Sequence, residues 1–465
     1  MILLLSLGTV VILARILTPD DFGIVGIGMV LLNLFYNIQD FGVLPALIQR
    51  DDQIEESISV GLSLRFIIAG IISLVVVGLS PFLASFFGNP AVAPVLMAYT
   101  VNLFVLSLGF PSQTALTRAL RFSNLAVASV LQYVVIGIVA VILALMDFTY
   151  WSLVVGSISG SIAYVISLRY YERIPLRPKF NRRLMGELMG FGKHLLIAGL
   201  MVFIVFNVDQ IVIARVAGIA SLGIYFIAVR FGRSMGEQIS TVVNRVLFPT
   251  MARMKEDMER LKEGYVQSLR MISIVAVPLT MGLSAISPVF VYVVLGETWL
   301  PAALPLSILA FQGLLNSLIC PASNVLISIG KPWYMSAQST VQAIVMMIGI
   351  YPVAVLYDIP GVCVFTTLLS FGVFIYFLRV FSSNFKTSWI EMARPILPSA
   401  LSGLVMFTIV SFVARGLPRD LVSLCILIAI GFVVYFASLY LLSRGKDVRE
   451  VVDLLRKSMV KDRVS

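Results

Sequence analysis

Residues 225–249 read YFIAVRFGRSMGEQISTVVNRVLFP, a stretch long and apolar enough to cross a bilayer. It nevertheless carries Arg230, Arg233, Glu237, Asn244 and Arg245. Arg230, Arg233, Ser234, Glu237, Thr241 and Asn244 recur at helical spacing, which puts them on one face of an α-helix. An arginine at the bilayer centre costs about 2.5–3.5 kcal/mol on the insertion scale. Such a face is tolerable where it lines a solvated lumen or meets anionic groups. This helix therefore reads as one wall of a cationic cavity, with the rest of the chain as its frame.

The composition agrees. The 465 residues are 59% hydrophobic and 12% charged, with mean hydropathy +0.99, where a soluble protein carries roughly 25% charge. Repeated apolar runs predict an all-α polytopic membrane protein, and the short alternating segments of a barrel are absent from the sequence. The net charge of +10 has its explanation in loop charges, and no basic soluble domain offers itself to nucleic acid. Cys320, Cys363 and Cys425 fall in apolar spans without a CxxC pair, and with one histidine they imply neither a disulfide framework nor a metal site.

About 14 spans are expected, centred on 1–17, 23–46, 62–84, 94–115, 125–146, 151–169, 194–216, 222–248, 266–287, 303–328, 335–357, 361–380, 395–414 and 421–442. With the N-terminus inside, 25 of the 34 Lys and Arg lie in cytoplasmic segments and two, Arg415 and Arg419, on the opposite side. That asymmetry predicts a plasma-membrane protein with both termini cytoplasmic. The first apolar run is short for a span, so the start of the chain is expected to lie a little upstream of Met1. The longest linker is 169–193. The 287–302 loop has room for a re-entrant or interfacial turn.

An internal repeat supplies the architecture. Ala14-Arg15 with Gly23 matches Ala214-Arg215 with Gly223 at an offset of 200; Pro45 matches Pro249 at 204; Ser63-Leu64-Arg65 matches Ser268-Leu269-Arg270 at 205. The unit is six helices long, so both copies enter the membrane the same way. The expected organisation is an N-lobe at 1–180, a C-lobe at 181–394, two appended helices at 395–443 and a charged cytoplasmic tail at 444–465.

Polar groups concentrate in spans 1, 2, 7 and 8, equivalent pairs by the repeat. Asn33, Asn37 and Asp40 share a face of the second; the seventh carries Asn207, Asp209, Gln210 and Arg215. Arg233 and Glu237 are at i, i+4, so internal pairing competes with a ligand-facing role there, as it does for Asp209. Arg15 and Arg230 have no acid within a turn. Arg65 and Arg270 stand at span ends, where snorkelling to headgroups accounts for them equally well. A lumen richer in arginine than in acid attracts anions, and guanidinium forks suit a pyrophosphate. Gln312, Asn316, Asn324, Gln338 and Gln342 add amides suited to sugar hydroxyls, though such groups also serve as interhelical glue.

The run Ala14-Arg15, Ile16-Leu17, Thr18-Pro19-Asp20-Asp21-Phe22-Gly23, followed by Asp40-Phe41-Gly42 and Leu44-Pro45-Ala46-Leu47-Ile48-Gln49-Arg50, resembles the start of polysaccharide-type flippases of the multidrug/oligosaccharidyl-lipid/polysaccharide exporter superfamily. Asn207-Val208-Asp209-Gln210-Ile211 and Tyr225 with Ala228-Val229-Arg230 resemble the second-lobe motifs. The resemblance implies a V-shaped, alternating-access carrier that moves undecaprenyl-pyrophosphate-linked oligosaccharides between leaflets of the bacterial plasma membrane. Membrane lipids and polysaccharide polymerase machinery are its implied partners. It implies pyrophosphate contacts from Arg15 and Arg230; Arg215, Arg233, Asn37, Asn207, Gln312 and Asn316 are the further candidates for pyrophosphate or glycan binding that the polar seam supplies. Asp209 and Glu237 become the candidates for coupling to H+ or Na+, with no other cofactor. Related lipid II flippases carry basic residues within the second span; here the stretch is Leu34-Phe35-Tyr36-Asn37. That departure favours an exopolysaccharide, capsule, O-antigen or teichuronic-acid unit. A cation-coupled multidrug exporter is the competing reading, disfavoured by the net positive seam. An enzyme is disfavoured by the lack of a loop large enough to hold a catalytic centre.

Overall fold

In the computed structural model, which describes residues 1–50, 52–236, 238 and 257–443, every regular element is helical. The helices are α1 (Ile2–Ala14), α2 (Pro19–Asp40), α3 (Val43–Gln49), α4 (Ile54–Phe87), α5 (Val92–Arg118), α6 (Phe122–Leu145), α7 (Thr149–Tyr171), α8 (Arg182–Val216), α9 (Ile219–Ala228), α10 (Met258–Phe290), α11 (Ala303–Ser328), α12 (Trp333–Phe385), α13 (Trp389–Ala393), α14 (Leu397–Gly416) and α15 (Leu421–Leu442). Among the described residues, 11 helices are long and apolar enough to cross a membrane. The difference from fourteen has three sources. The first expected span is the shorter apolar helix Ile2–Ala14. The eleventh and twelfth form one element, α12, interrupted at Asp358 (φ 55°, ψ −155°). The eighth, 222–248, is described only to Gly236 and at residue 238, and the tail 444–465 lies outside the described residues.

The described chain forms two compact units. One holds Met1–Phe226 with Ala343–Asp358; the other holds Ile227–Gln342 and the chain from Ile359 onward. The division by packing thus falls later than the boundary at residue 180 drawn from the repeat, because α8 packs on α2, α3 and α4.

Local chemistry sets where these helices begin. Thr18 and Asp21 form a reciprocal capping box at the start of α2: Thr18 N–H donates to Asp21 Oδ2 at 2.9 Å, and Asp21 N–H donates to Thr18 Oγ1 at 3.3 Å. Pro19 opens the helix where its missing N–H has no partner to lose. Thr18→Ala is expected to lower the unfolding free energy by about 1 kcal/mol, read as a fall in melting temperature of the purified protein in detergent.

The 169–193 segment is not a linker throughout. Asn181 Oδ1 accepts from the N–H groups of Arg183 and Leu184, and α8 starts there, well ahead of the expected span at 194. Leu184 and Leu188, one turn apart, join Val43, Leu47, Ile58, Leu64 and Phe110 in the apolar core of the first unit. Polar contacts fasten the same end. Arg50 Nη1 lies 2.9 Å from Glu187 Oε2, Arg183 Nε lies 3.1 Å from Glu187 Oε1, and Asn181 Nδ2 donates to Glu56 Oε1 at 3.0 Å. Arg118 closes the C-terminal end of α3, donating through Nη1 to the carbonyls of Leu47 at 2.6 Å and of Arg50.

Hydrogen bonds from Arg50 and Arg183 hold the Glu187 carboxyl below the usual carboxylate range. A carboxylate so depressed contributes stability that is present above its unfolded value and is lost as pH falls through the folded one. Acidification below about pH 4.5, the ordinary glutamate range, should therefore loosen the α3–α8 contact. Glu187→Gln should flatten this part of the pH profile of thermal stability.

In the second unit, Leu261, Tyr265, Leu269 and Ile272 of α10 pack with Leu318, Ala322 and Val325 of α11 and Phe377 and Phe381 of α12. The opposite face of α10 packs on α14 and α15 through Val277, Met281, Met406, Val410 and Tyr435, and Tyr435 OH donates to Ile274 O at 3.1 Å.

Candidate functional site

The arginine-bearing helix departs from simple α geometry where its charges begin. Val229–Arg233 is a π-turn directly after α9, and both the N–H and the Oγ of Ser234 reach back five residues to Val229 O. A π-turn holds one more residue than an α-turn. Arg230, Arg233 and Ser234 therefore do not share the single stripe that ideal spacing predicts. Arg233 is buried (6% exposed), while Arg230 is half-buried. The segment lies close against α11: a Cβ on Gly236 would fall 2.0 Å from Gly313 O, and one on Gly313 would fall 2.8 Å from Arg233 O. Glycines on both sides allow this approach. Glu237 lies outside the described residues.

Also in the second unit, Gln312 is buried and its Nε2 donates to Thr366 O and Ser370 Oγ, both at 3.4 Å. Its Oε1 is buried without a hydrogen-bond partner among the described residues. Asn316, one turn on, is half-buried. Between α10 and the pair α14–α15 lies a cavity of about 460 Å³, lined by Met235, Pro278, Leu283, Met406, Leu427 and Phe432 among other apolar side chains.

In the first unit, Arg15 is the exposed C-cap of α1, and Arg215 is exposed in the last turn of α8, its guanidinium 5.1 Å from the centre of the Phe86 ring. Asn37 is exposed and Asn207 half-buried. Each donates from Nδ2 to the carbonyl one turn earlier, Asn33 O at 2.8 Å and Phe203 O at 3.1 Å. Asp209 is fully buried; its Oδ2 accepts from Tyr225 OH at 2.7 Å and its Oδ1 from Gln210 N–H at 2.9 Å. These bonds satisfy a carboxylate that would otherwise be expensive to bury.

A second polar cluster joins residues that sequence spacing leaves apart. Arg65 of α4 is buried at 9% exposure, not extended to headgroups. Its Nη1 lies 2.8 Å from Asp40 Oδ1, its Nη2 donates to Gln39 Oε1 at 3.4 Å, and its guanidinium lies 4.8 Å from the centre of the Phe110 ring. Gln39, with no exposed surface, donates from Nε2 to Leu103 O at 2.9 Å and Ser107 Oγ at 3.0 Å. The cluster therefore ties the C-terminal end of α2 to α4 and α5. Asp40 and Arg65 were visible singly; nothing in their separation of 25 residues pairs them, and Gln39 carries no signal of its own.

Among the described residues no group of His, Cys, Asp and Glu is placed to hold a metal. What the fold and these groups define is a polytopic helical carrier with cationic and amide groups set within its spans. Residues 12–304 match the model of the polysaccharide biosynthesis protein family, and the chain belongs to that family. It is 25% identical over 455 residues to the succinoglycan biosynthesis transport protein ExoT of Rhizobium meliloti (strain 1021), covering 96% of this chain and 91% of that one. It is 28% identical over 307 residues to the teichuronic acid biosynthesis protein TuaB of Bacillus subtilis (strain 168), covering 63% of this chain and 61% of that one. Its fold is that of the lipid II flippase MurJ in an inward closed conformation, with TM-score 0.77 and 16% identity over 95% of this chain and 97% of that one.

Proposed function

We propose that this protein flips undecaprenyl-pyrophosphate-linked oligosaccharide units from the inner to the outer leaflet of the bacterial plasma membrane, for assembly of a surface polysaccharide. Family membership carries the reading, and the arginines in and beside the membrane helices support it, since guanidinium forks suit a pyrophosphate. Arg230 and Arg15, assisted by Arg233 and Arg215, hold the pyrophosphate. Asn37, Asn207, Gln312 and Asn316 contact the glycan. The apolar cavity beside α14 and α15 has the composition to take part of a polyprenyl chain, the rest of which stays in lipid. Asp209 and Glu237 couple the cycle to H+ or Na+, both termini face the cytoplasm, and the flipped unit passes to polymerase machinery. The protein carries cargo and performs no covalent chemistry on it.

The test is mass spectrometry of undecaprenyl-linked sugars in a deletion strain, beside an assay of surface polysaccharide. Loss of one surface glycan with accumulation of its lipid-linked unit inside the cell is the expected result, and it identifies the cargo. Unchanged glycans with altered sensitivity to cationic drugs would replace this reading with multidrug export.

A further inference from the structure

Two side chains of α5 carry buried polar atoms that protein does not meet. Tyr99 and Asn102 have no exposed surface. The Tyr99 hydroxyl, and both Nδ2 and Oδ1 of Asn102, are without a hydrogen-bond partner among the described residues. Equally buried groups of the same unit are met: Tyr225 OH by Asp209, and Gln39 Nε2 by Leu103 O and Ser107 Oγ. An amide buried with both halves unmet is costly, and native proteins relieve such groups with ordered water or ions.

The two side chains are neighbours, three residues apart on one side of the helix. Tyr99 lies against α2, where Gly28 admits its ring: a Cβ on Gly28 would stand 2.7 Å from Tyr99 Cε2. Asn102 stands seven residues before Gly109 and so shares its side of α5. Gly109 faces α7, since a Cβ there would lie 2.9 Å from Val165 Cγ2. Tyr99 and Asn102 thus border the junction where α2, α5 and α7 pack on one another.

We propose that this junction is an internal water-binding site, with Tyr99 and Asn102 as its ligands. Asn102 offers a donor and an acceptor side by side, and the Tyr99 hydroxyl is both. A cation would serve the oxygens and leave Nδ2 unmet. An anion would serve the donors and leave Oδ1 unmet. Water donates and accepts at once, and when buried it makes about three hydrogen bonds. Water held there takes the place of a direct side-chain bridge across the junction. Both ligands are shut off from any cargo, so the inference stands apart from the flippase reading.

Radiolytic labelling of the full-length protein in micelles provides the test, because an X-ray pulse makes hydroxyl radicals from bound water where it sits. In heavy-oxygen water, Tyr99 should take up label at least tenfold faster than Tyr225 and Tyr435. Those two are equally buried, and their hydroxyls bond to Asp209 and to Ile274 O. A bulk radical scavenger should slow the labelling of Tyr170, which is 75% exposed, and leave that of Tyr99 unchanged. Asn102→Leu puts an apolar chain of similar size in the amide's place and should bring Tyr99 down to the rate of Tyr225. A parent chain in which Tyr99 labels no faster than Tyr225 would overturn the site, and that comparison needs no variant to fold. Undiminished labelling of Tyr99 in folded Asn102→Leu protein would overturn it as well.

Discussion

Arg230→Ala abolishes export while the protein remains folded in the membrane at its normal level. Arg230 sits half-buried in the π-turn that follows α9, and in the function proposed above it holds the pyrophosphate. Charge-assisted hydrogen bonds contribute about 1.5–3 kcal/mol each. Loss of one forked contact to a diphosphate therefore weakens cargo capture by roughly a hundredfold, at 1.4 kcal/mol per factor of ten. Arg230→Lys should fall between, since it keeps the charge and loses the planar fork. The measurement is the lipid-linked unit retained inside cells, normalised to membrane-inserted protein. Undiminished export by the alanine variant would remove Arg230 from the pyrophosphate site.

The second large effect is on stability. Asp40→Asn leaves the Arg65 guanidinium buried against the Phe110 ring, with Gln39 Oε1 at 3.4 Å as its side-chain acceptor. Breaking a fully buried pair from one side typically costs about 3–5 kcal/mol; with the Asp40 side chain 38% exposed, solvent screens this pair and the loss should fall below that range. Arg65→Met alone should cost less, because the Asp40 side chain is 38% exposed and recovers hydration. The double variant should regain most of the loss, as a buried charge no longer lacks its counter-ion. Unfolding in mixed micelles gives the cycle directly. Equal stabilities for Asp40→Asn and the parent would show that the pair holds nothing together.

Much of this molecule is legible in its sequence because the bilayer imposes so few solutions. Apolar runs with short turns and a lopsided distribution of basic residues lead to a helical carrier. The motifs around Arg15, Asp40, Asp209 and Arg230 lead to the family. The failures share one physical cause, that tertiary contacts are not written in local spacing. Arg65 at a span end is equally consistent with snorkelling, and only its packing against α2 supplies Asp40. The Tyr225 hydroxyl that the fold brings to Asp209 around the α8–α9 turn is likewise not written in the spacing of the two residues. The polar first turns of α8 resembled a linker, although Asn181 as a cap and Leu184 with Leu188 one turn apart were available as signals. The π-turn leaves no compositional trace, because its hydrogen-bond register is chosen by close packing of the segment on Gly313.

That π-turn bears on how the two copies diverged. One additional residue absorbed inside a helix leaves both helix ends where they were and lengthens no loop, yet it turns every later side chain by about 100° about the axis. A duplicated chain can by this route aim the same ancestral positions at different surroundings in its two halves. Comparisons between the halves that assume an ungapped helix then lose register at Val229–Arg233, where the charges lie.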